Sequence, residues 1–236
     1  MEKRQKQMSR KQIIDFHAHI LPGMDHGCRN LEETYEQLCQ AKDAGADVVI
    51  ATSHFYPHKE RLEHFVIRRE SAYKSISGQK DGRKFPKVKP GAEVFVCRGM
   101  ERLEGIEQLC IAGTNIILLE MPLGDWTREL METVLAIQER LGLQVVLAHV
   151  DRYEENGVQQ LFDQGIHGQL NAEALSGLFV KKRFRRWIQN GDIVALGSDI
   201  HGVKPGYREF LKVKKFHEAS FDTIMERTSK LLKDKL

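Results

Sequence analysis

The side chains best suited to chemistry in this sequence are histidines and carboxylates that recur at wide intervals. Each lies at the end of a short apolar run or a few positions after one. They are His17, His19, Asp25, His54, Glu93, Glu120, His149, Asp199 and His201. Imidazole and carboxylate donors without a cysteine thiolate are typical of sites for several hard or borderline metal ions. If the fold gathers these residues, the sequence predicts a centre with more than one divalent ion.

Two pairs of these residues have the spacing of side chains on one face of a strand. His17 precedes His19 by two positions, and Asp199 precedes His201 by two. Because alternate residues of an extended segment point to the same side, each pair can contact a common ion. Ions about 3.5–4 Å apart can bind a phosphoryl group and activate water. Taken alone, each residue would more often be a structural histidine or a surface carboxylate, so the prediction depends on their shared position.

That shared position is the carboxyl end of a series of predicted strands. The predicted strands are Ile13–Phe16, Asp47–Thr52, Ala92–Val96, Ile116–Leu119, Val145–Ala148, Gly168–Leu170 and Ile193–Leu196. Helical patterns fill the intervals, one of them capped by Asn30 and others covering Met100–Ala112 and Ala174–Gln189. Alternating strands and helices predict an α/β fold with a parallel sheet, in which the strand ends meet at one rim. A distorted seven-stranded barrel is the first interpretation and a doubly wound open sheet the second, and periodicity alone does not separate them.

Length and composition are those of an ordinary globular chain. The chain has 236 residues, of which 41% are hydrophobic and 29% charged, and its net charge is +3. We expect one domain over residues 13–236, after a disordered basic extension over residues 1–12. The mild charge argues against nucleic acid as a partner, and no apolar run approaches the ~20 residues that span a membrane. Without a signal-peptide pattern at the start, we expect a cytoplasmic protein; the oligomeric state stays open.

The cysteines argue against thiol chemistry. None is followed six positions later by an arginine, the spacing of the cysteine-phosphatase loop, and no two form a C-x-x-C pair. They are Cys28, Cys39, Cys97 and Cys110. In a cytoplasmic setting we expect them to be reduced.

Five segments together resemble the polymerase-and-histidinol-phosphatase (PHP) family, and within it the bacterial protein-tyrosine phosphatases linked to capsule and exopolysaccharide synthesis. The likeness extends over nearly the whole chain after residue 12. The segments are 17–27 (HAHILPGMDHG), 51–54 (ATSH), 90–93 (PGAE), 148–153 (AHVDRY) and 198–201 (SDIH). The resemblance implies a distorted (β/α)7 barrel with three metal ions, commonly Mn²⁺, with Fe, Zn²⁺ or Mg²⁺ as other candidates.

The resemblance also implies a role for each candidate residue. The first ion would be held by His17, His19 and Asp199, the second by Glu120 and His149 with Glu93 bridging the two, and the third by Asp25, His54 and His201. Arg152 would bind the phosphate, and with Asp199 and His201 it forms the candidate catalytic set. A histidine or a metal-bound water near His201 could protonate the leaving group.

Two positions depart from the family pattern. Where the family usually has Asp-Asp-Gly, this chain has Asp25, His26 and Gly27, so His26 could compete with Asp25 for the ligand role. A second phosphate-binding arginine would fall near Gly206, and the candidates to replace it are Lys204 and Arg208.

The function that the resemblance implies is hydrolysis of phosphotyrosine on a membrane-anchored bacterial tyrosine autokinase. Two alternatives stay open. One is a small-molecule phosphomonoesterase such as a histidinol phosphatase, or a phosphodiesterase on the same fold. The other is an inactive relative that binds only metal or phosphopeptide.

Overall fold

A computed structural model describes residues 11–77, 85–202 and 207–233. Most of the expected N-terminal extension therefore lies outside the described residues, and so do Lys204 and Gly206. Lys11 and Gln12, the two described residues of that extension, are exposed.

Strands and helices alternate along the described chain. The strands are Ile14–His19 (β1), Val48–Ala51 (β2), His54–Phe55 (β3), Lys87–Pro90 (β4), Glu93–Phe95 (β5), Ile116–Glu120 (β6), Gln144–Leu147 (β7), His167–Asn171 (β8), Ile193–Gly197 (β9) and Ile200–His201 (β10). The α-helices are Leu31–Asp43 (α1), Leu62–Ser77 (α2), Arg128–Leu141 (α3), Glu155–Phe162 (α4), Ala172–Leu175 (α5), Lys182–Asn190 (α6), Arg208–Phe216 (α7) and Glu218–Leu231 (α8).

The strands form two parallel sheets. One has the order β10-β1-β2-β4 and the other the order β3-β5-β6-β7-β8-β9. All seven predicted strands are present, and the parallel α/β architecture is confirmed. The short strands β3, β4 and β10 were not predicted. Two of these short strands, β3 and β10, carry His54 and His201.

A single closed sheet of seven strands is not found among the described residues. The hydrogen-bonded ladders are interrupted where the chain turns between β2 and β3, and again between β9 and β10. At the second break Asp199 has a φ of 49°, which no extended strand can adopt. The doubly wound alternative is wrong, because five successive strands of the larger sheet, β5 to β9, are neighbours in chain order, whereas that fold requires a reversal of the order.

The central strands are buried on both faces, as expected for parallel sheets covered by helices. Every residue of β1 is buried, and Ile116, Ile117 and Leu118 of β6 are fully inaccessible. Strands of this kind hold their side chains with little freedom, so residues at their carboxyl ends are placed accurately. No helix among the described residues combines the length and the apolar character needed to cross a bilayer.

Two predicted helices are wrong in form. Instead of a helix over Met100–Ala112 there are two short 3₁₀ turns, at Met100–Arg102 and Ile106–Leu109, separated by Gly105 with a left-handed φ of 80°. The predicted helix over Ala174–Gln189 is divided into α5 and α6. The cap at Asn30 is confirmed, since its side-chain oxygen accepts from the Glu33 backbone N–H at 3.0 Å.

Candidate metal centre

The carboxyl ends of the strands bring eight of the nine candidate ligands into one cluster. His17 and His19 on β1 and Glu93 at the start of β5 are fully buried. The Nε2 atoms of His17 and His19 are 3.1 Å apart. Asp199 Oδ1 lies 3.5 Å from the first nitrogen and 3.3 Å from the second. The i, i+2 spacing of the two histidines therefore does aim both rings at one point.

The Glu93 carboxylate occupies the middle of the cluster. Its Oε2 atom lies 2.9 Å from His54 Nδ1, 3.2 Å from His17 Nε2 and 3.3 Å from His19 Nε2. Its Oε1 atom lies 2.7 Å from His149 Nε2. One oxygen surrounded by three nitrogens from two strands, with a fourth nitrogen at the other oxygen, is the arrangement of a carboxylate that bridges ions.

Several polar atoms of the cluster are buried without a hydrogen-bond partner in the described chain. They are Nδ1 of His54 and His149, Nε2 of His201, and Oε2 of Glu93 and Glu120. Leaving a buried polar atom unsatisfied costs about 1–3 kcal/mol. Although His54 Nδ1 and Glu93 Oε2 are close, the two atoms are not aligned as a hydrogen bond. Nitrogen and oxygen atoms of this kind bind metal ions, so the donor set fits the metal cofactor that the family resemblance implies.

The donor atoms divide into three groups, in each of which one atom per residue lies within 4.8 Å of the others. The groups are His17 with His19 and Asp199, His54 with Glu93 and Glu120, and His19 with His54 and His201. His149, whose Nε2 lies 2.7 Å from Glu93 Oε1, belongs to none of these three groups, and neither does Asp25. Its Oδ2 atom instead faces the far nitrogen of His19, Nδ1, at 2.9 Å.

Arg152 connects this cluster to an adjacent cavity. Its guanidinium donates to Oδ2 of Asp199, which also accepts from Asn171 Nδ2 at 3.0 Å. The side chain of Arg152 is 48% exposed. It lines a cavity of ≈ 360 Å³ together with Asp199, His201, Tyr207 and other residues. Arg208, at the start of α7, is exposed and is absent from the described lining.

Polar side chains that sequence analysis missed hold the histidines in place. Gln169 Oε1 accepts from the His149 backbone N–H at 2.8 Å and lies 3.1 Å from His17 Nδ1. Partners of this kind set the orientation and tautomer of a metal-binding imidazole. Gln169 and Asn171 have the same i, i+2 spacing as the histidine pair, at the end of β8. That spacing was the signal that could have found them.

Backbone conformation at the cluster is also unusual. The non-glycine residues with positive φ in the described chain are His149, at 31°, and Asp199, at 49°. Such conformations cost energy and concentrate at functional sites. Gly197 allows β9 to approach β1, since a Cβ there would lie 2.5 Å from His17 Cβ. Gly27 is equally confined, because its Cβ would lie 2.2 Å from the His19 carbonyl oxygen.

The charges of the cluster shift its pKa values in opposite directions. Burial opposes ionisation of Glu93, but His17, His149 and His19 outweigh it and hold the Glu93 pKa well below its usual range. Burial, followed by the charge of Glu93, raises the pKa of Glu120. Burial, followed by the charge of His19, lowers the pKa of His201 to about 4. The cluster therefore contains carboxylates that would repel one another without cations between them.

Known proteins share this fold. A crystal structure from work on YwqE of Bacillus subtilis and CpsB of Streptococcus pneumoniae, called unique metal-dependent tyrosine phosphatases, matches with a TM-score of 0.75 at 23% identity. The match covers 95% of this chain and 96% of that one. Histidinol phosphate phosphatase of Lactococcus lactis, solved with zinc, L-histidinol and phosphate, matches with a TM-score of 0.57 at 14% identity over 89% of this chain and 94% of that one. At these identities the likeness concerns the fold.

Sequence comparison identifies relatives of the same kind. The tyrosine-protein phosphatase CpsB of S. pneumoniae is 27% identical over 219 residues, which cover 84% of this chain and 87% of that protein. The tyrosine-protein phosphatase YwqE of B. subtilis is 28% identical over 202 residues, which cover 81% of this chain and 78% of that protein.

The parallel α/β fold and the histidine and carboxylate donors define the class of this protein: an α/β protein with a candidate polynuclear metal centre at the carboxyl ends of its strands. Within this class, residues 13–230 match the model of the family described as capsular polysaccharide synthesis, CpsB/CapC. The chain belongs to that family. The four cysteines are free, in agreement with a site that uses no disulfide.

Proposed function

We propose that this chain is a metal-dependent protein-tyrosine phosphatase. The observation that carries the proposal is the position of Glu93 Oε2, buried without a hydrogen bond among nitrogens of His17, His19 and His54. The centre adjoins a cavity that contains the Arg152 guanidinium. The names of CpsB and YwqE, both tyrosine-protein phosphatases, support this reading.

Two ions are proposed to lie in the two donor groups that contain carboxylates, with Glu93 between them, and the third to lie beside His54 and His201. Groups that include carboxylate oxygens suit Mn²⁺ or Mg²⁺, and histidine-rich positions suit Zn²⁺ or Fe. When bound, such ions neutralise phosphate charge and make hydroxide available at neutral pH. We also propose that the two sheets form the wall of one distorted seven-stranded barrel, because the Asp199 N–H donates to the His17 carbonyl at 2.7 Å where they adjoin.

The chain itself supplies substrate binding and orientation. Arg152 is proposed to bind two phosphate oxygens, for which its planar guanidinium is well shaped. Asp199 and the turn that begins at His149 keep Arg152 at the wall of the cavity. His201, with a pKa near 4, is neutral at pH 7 and therefore fits a ligand better than a cationic acid. A tyrosyl leaving group has a pKa near 10 and needs little protonation to depart.

The size of the cavity is compatible with the proposed substrate. Its volume of ≈ 360 Å³ is at the lower end of ligand sites and suits one aromatic side chain with its phosphate. The proposed substrate is the phosphotyrosine segment of a membrane-anchored tyrosine autokinase that controls capsule or exopolysaccharide synthesis, dephosphorylated in the cytoplasm. The family description is consistent with that pathway.

A second candidate is a small-molecule phosphomonoesterase. The structural likeness to histidinol phosphate phosphatase, crystallised with its product and phosphate, favours it. An inactive relative is disfavoured, because loss of function should first remove ligands and the donor groups are intact.

The test measures phosphate release from a phosphotyrosine peptide with Mn²⁺, alongside histidinol phosphate and a chelator-treated sample. Chelator-sensitive release from the peptide is expected, with much slower release from histidinol phosphate. Faster release from histidinol phosphate would favour the second candidate. No release from either ester by metal-loaded protein would contradict the proposed activity.

Arg152→Ala separates phosphate binding from metal binding. A lost charged hydrogen bond corresponds to about 1.5–3 kcal/mol, so kcat/KM should fall about 10- to 100-fold. The metal content should be unchanged, since Arg152 contacts Oδ2 of Asp199 whereas His17 and His19 face Oδ1. Arg140→Ala, an exposed change on α3, is the control. Loss of bound metal in Arg152→Ala would show that the residue has a different role.

A further inference from the structure

The outer edge of the centre contains three imidazoles from three separate segments. The ring centres of His26 and His201 are 4.3 Å apart, those of His26 and His54 are 5.0 Å apart, and those of His54 and His201 are 5.7 Å apart. A tetrahedral ion with bonds of ~2.1 Å to ring nitrogens places the ring centres of its ligands about 5 Å apart. The three rings thus have the spacing of ligands on one ion.

Asp25, the neighbouring residue, has its oxygens committed elsewhere. Its Oδ2 accepts from His19 Nδ1 at 2.9 Å and from the His54 backbone N–H at 3.0 Å. Its Oδ1 accepts from the Gly27 backbone N–H at 2.9 Å. A carboxylate on the far nitrogen of a ligand histidine orients that ligand. Asp25 therefore fits the role of a positioning residue for His19.

His26 has no such commitment. Its side chain is exposed, and its ring forms no hydrogen bond with another described residue. His26 lies outside the three groups of donor atoms within 4.8 Å. Its ring must therefore turn about its side-chain torsions to bring a nitrogen to the ion. In the described chain the His26 ring is stacked near the rings of His54 and His201, so the turn is made against the two imidazoles that would share the ion with it.

We propose that His26, with His54 and His201, holds the outermost ion, and that this all-nitrogen position retains Zn²⁺ against Mn²⁺ more strongly than the carboxylate-containing positions do. The inference rests on the proposed metal centre and deepens it by naming the ligand and preferred ion of one position. Three imidazoles with an open fourth place are a coordination that Zn²⁺ accepts readily. Mn²⁺ prefers oxygen donors.

The proposed preference for Zn²⁺ over Mn²⁺ is a difference between the metal positions. Because nitrogen and oxygen sites in general bind Zn²⁺ more tightly than Mn²⁺, all positions fill with zinc when both ions are present in equal amounts. The two groups with Asp199, Glu93 and Glu120 should exchange zinc for manganese first as Mn²⁺ is raised. The position with His26 should exchange last.

The experiment loads the full chain with Zn²⁺ and dialyses it against rising Mn²⁺, with both metals counted by mass spectrometry. The wild type should keep about one zinc per chain after the other positions have exchanged. His26→Ala should weaken retention of that zinc by more than about 100-fold, beyond the loss from an outer-shell partner. His26→Asp should let Mn²⁺ take the same position. His64→Ala, an exposed change on α2, should behave as the wild type.

Asp25→Asn distinguishes the two neighbours. This substitution should lower the occupancy of the inner ion that His19 binds and leave the zinc at the His26 position in place. Retention of that zinc in His26→Ala, or its loss in Asp25→Asn alone, overturns the inference. Metal counts are independent of phosphate release. Failure of the zinc result in an active phosphatase would therefore remove this inference alone, and zinc retention without phosphatase activity would remove the proposed function alone.

Discussion

The inner and outer parts of the candidate centre are built in different ways. The inner part consists of His17, His19, Glu93 and Asp199, which are buried or nearly so. The outer part consists of His26, His54 and His201, which lie beyond breaks in the strands and are partly or fully exposed. Inner donors mix carboxylate and imidazole, whereas outer donors are imidazoles. Metal positions on one rim can therefore differ in donor type when one is carried by continuous strands and the other by turns and short strands.

Support from the surroundings differs in the same way. Gln169 and Asp25 each contact the far nitrogen of an inner histidine. The outer rings are held mainly by one another, with His201 Nδ1 3.0 Å from the Asp199 carbonyl oxygen. Inner ligands are preorganised by hydrogen bonds, so a substitution there disturbs several partners. Outer ligands can change with fewer consequences for the fold.

The largest effect is expected from Glu93→Gln, which removes the charge at the middle of the inner part. Turnover should fall by more than about 100-fold, the upper end for loss of a residue that only orients a metal ligand. Metal content should fall with it, because the neutral amide cannot bridge two cations. The measurements are phosphate release and metals per chain. Glu139→Gln, on the exposed face of α3, should change neither. A Glu93→Gln protein with full metal content and activity would show that the inner part does not depend on the Glu93 charge.

A smaller effect is expected from Gly197→Ala, which presses on the inner part from β9. The new Cβ would lie 2.5 Å from His17 Cβ and 2.8 Å from Gln169 Nε2. Overpacking of this kind destabilises by about 1–3 kcal/mol, and a chain of this size loses about 2–4 °C in Tm per kcal/mol. Thermal unfolding measures the change. Gly177→Ala is the control, since its Cβ would meet nothing closer than 3.7 Å.

The smallest and most gradual effect is expected from lowering the pH. Burial alone would lower the pKa of His17, but Glu93 and Asp199 overcome it and raise that pKa. A raised pKa means that the proton stays bound to higher pH, so metal must displace it. Inner ions should be released first as pH falls through the raised pKa, whereas His201 keeps its lone pair down to a pH of about 4. Metal counts after dialysis at decreasing pH test this order. Release of the outer ion first would reverse the comparison.

Sequence patterns predicted secondary structure correctly where interactions between residues close in sequence determine it. Short predicted segments of three to six residues became strands, and the cap at Asn30 formed as its side chain predicts. The helix expected over Met100–Ala112 failed, because Gly105 adopts a left-handed conformation that ends the turn. Apolar periodicity reports a tendency to be helical and does not report such a break.

The candidate site was predictable in its members and not in its arrangement. Parallel strands bring their carboxyl ends together, which is why residues as distant as His17 and Asp199 could be grouped from sequence. Gln169 escaped notice, because an amide becomes a partner of His17 only when β8 and β1 converge. The sequence left the ligand role open between Asp25 and His26, because it could not show that the Asp25 carboxylate faces His19 Nδ1.

The amino-acid sequence alone determined the donor chemistry and the strand–helix alternation, since both depend on residue type and spacing along the chain. Tertiary structure decided the division into two sheets, the central place of the Glu93 carboxylate and the turning of Asp25 towards His19. The two sheets and the place of Glu93 depend on contacts between residues far apart in sequence, and Asp25 faces His19 while it also accepts from the His54 backbone N–H. Burial makes every unpaired polar atom in these contacts costly. The position of each hydrogen bond and each ring is therefore settled by neighbours that the linear pattern does not name.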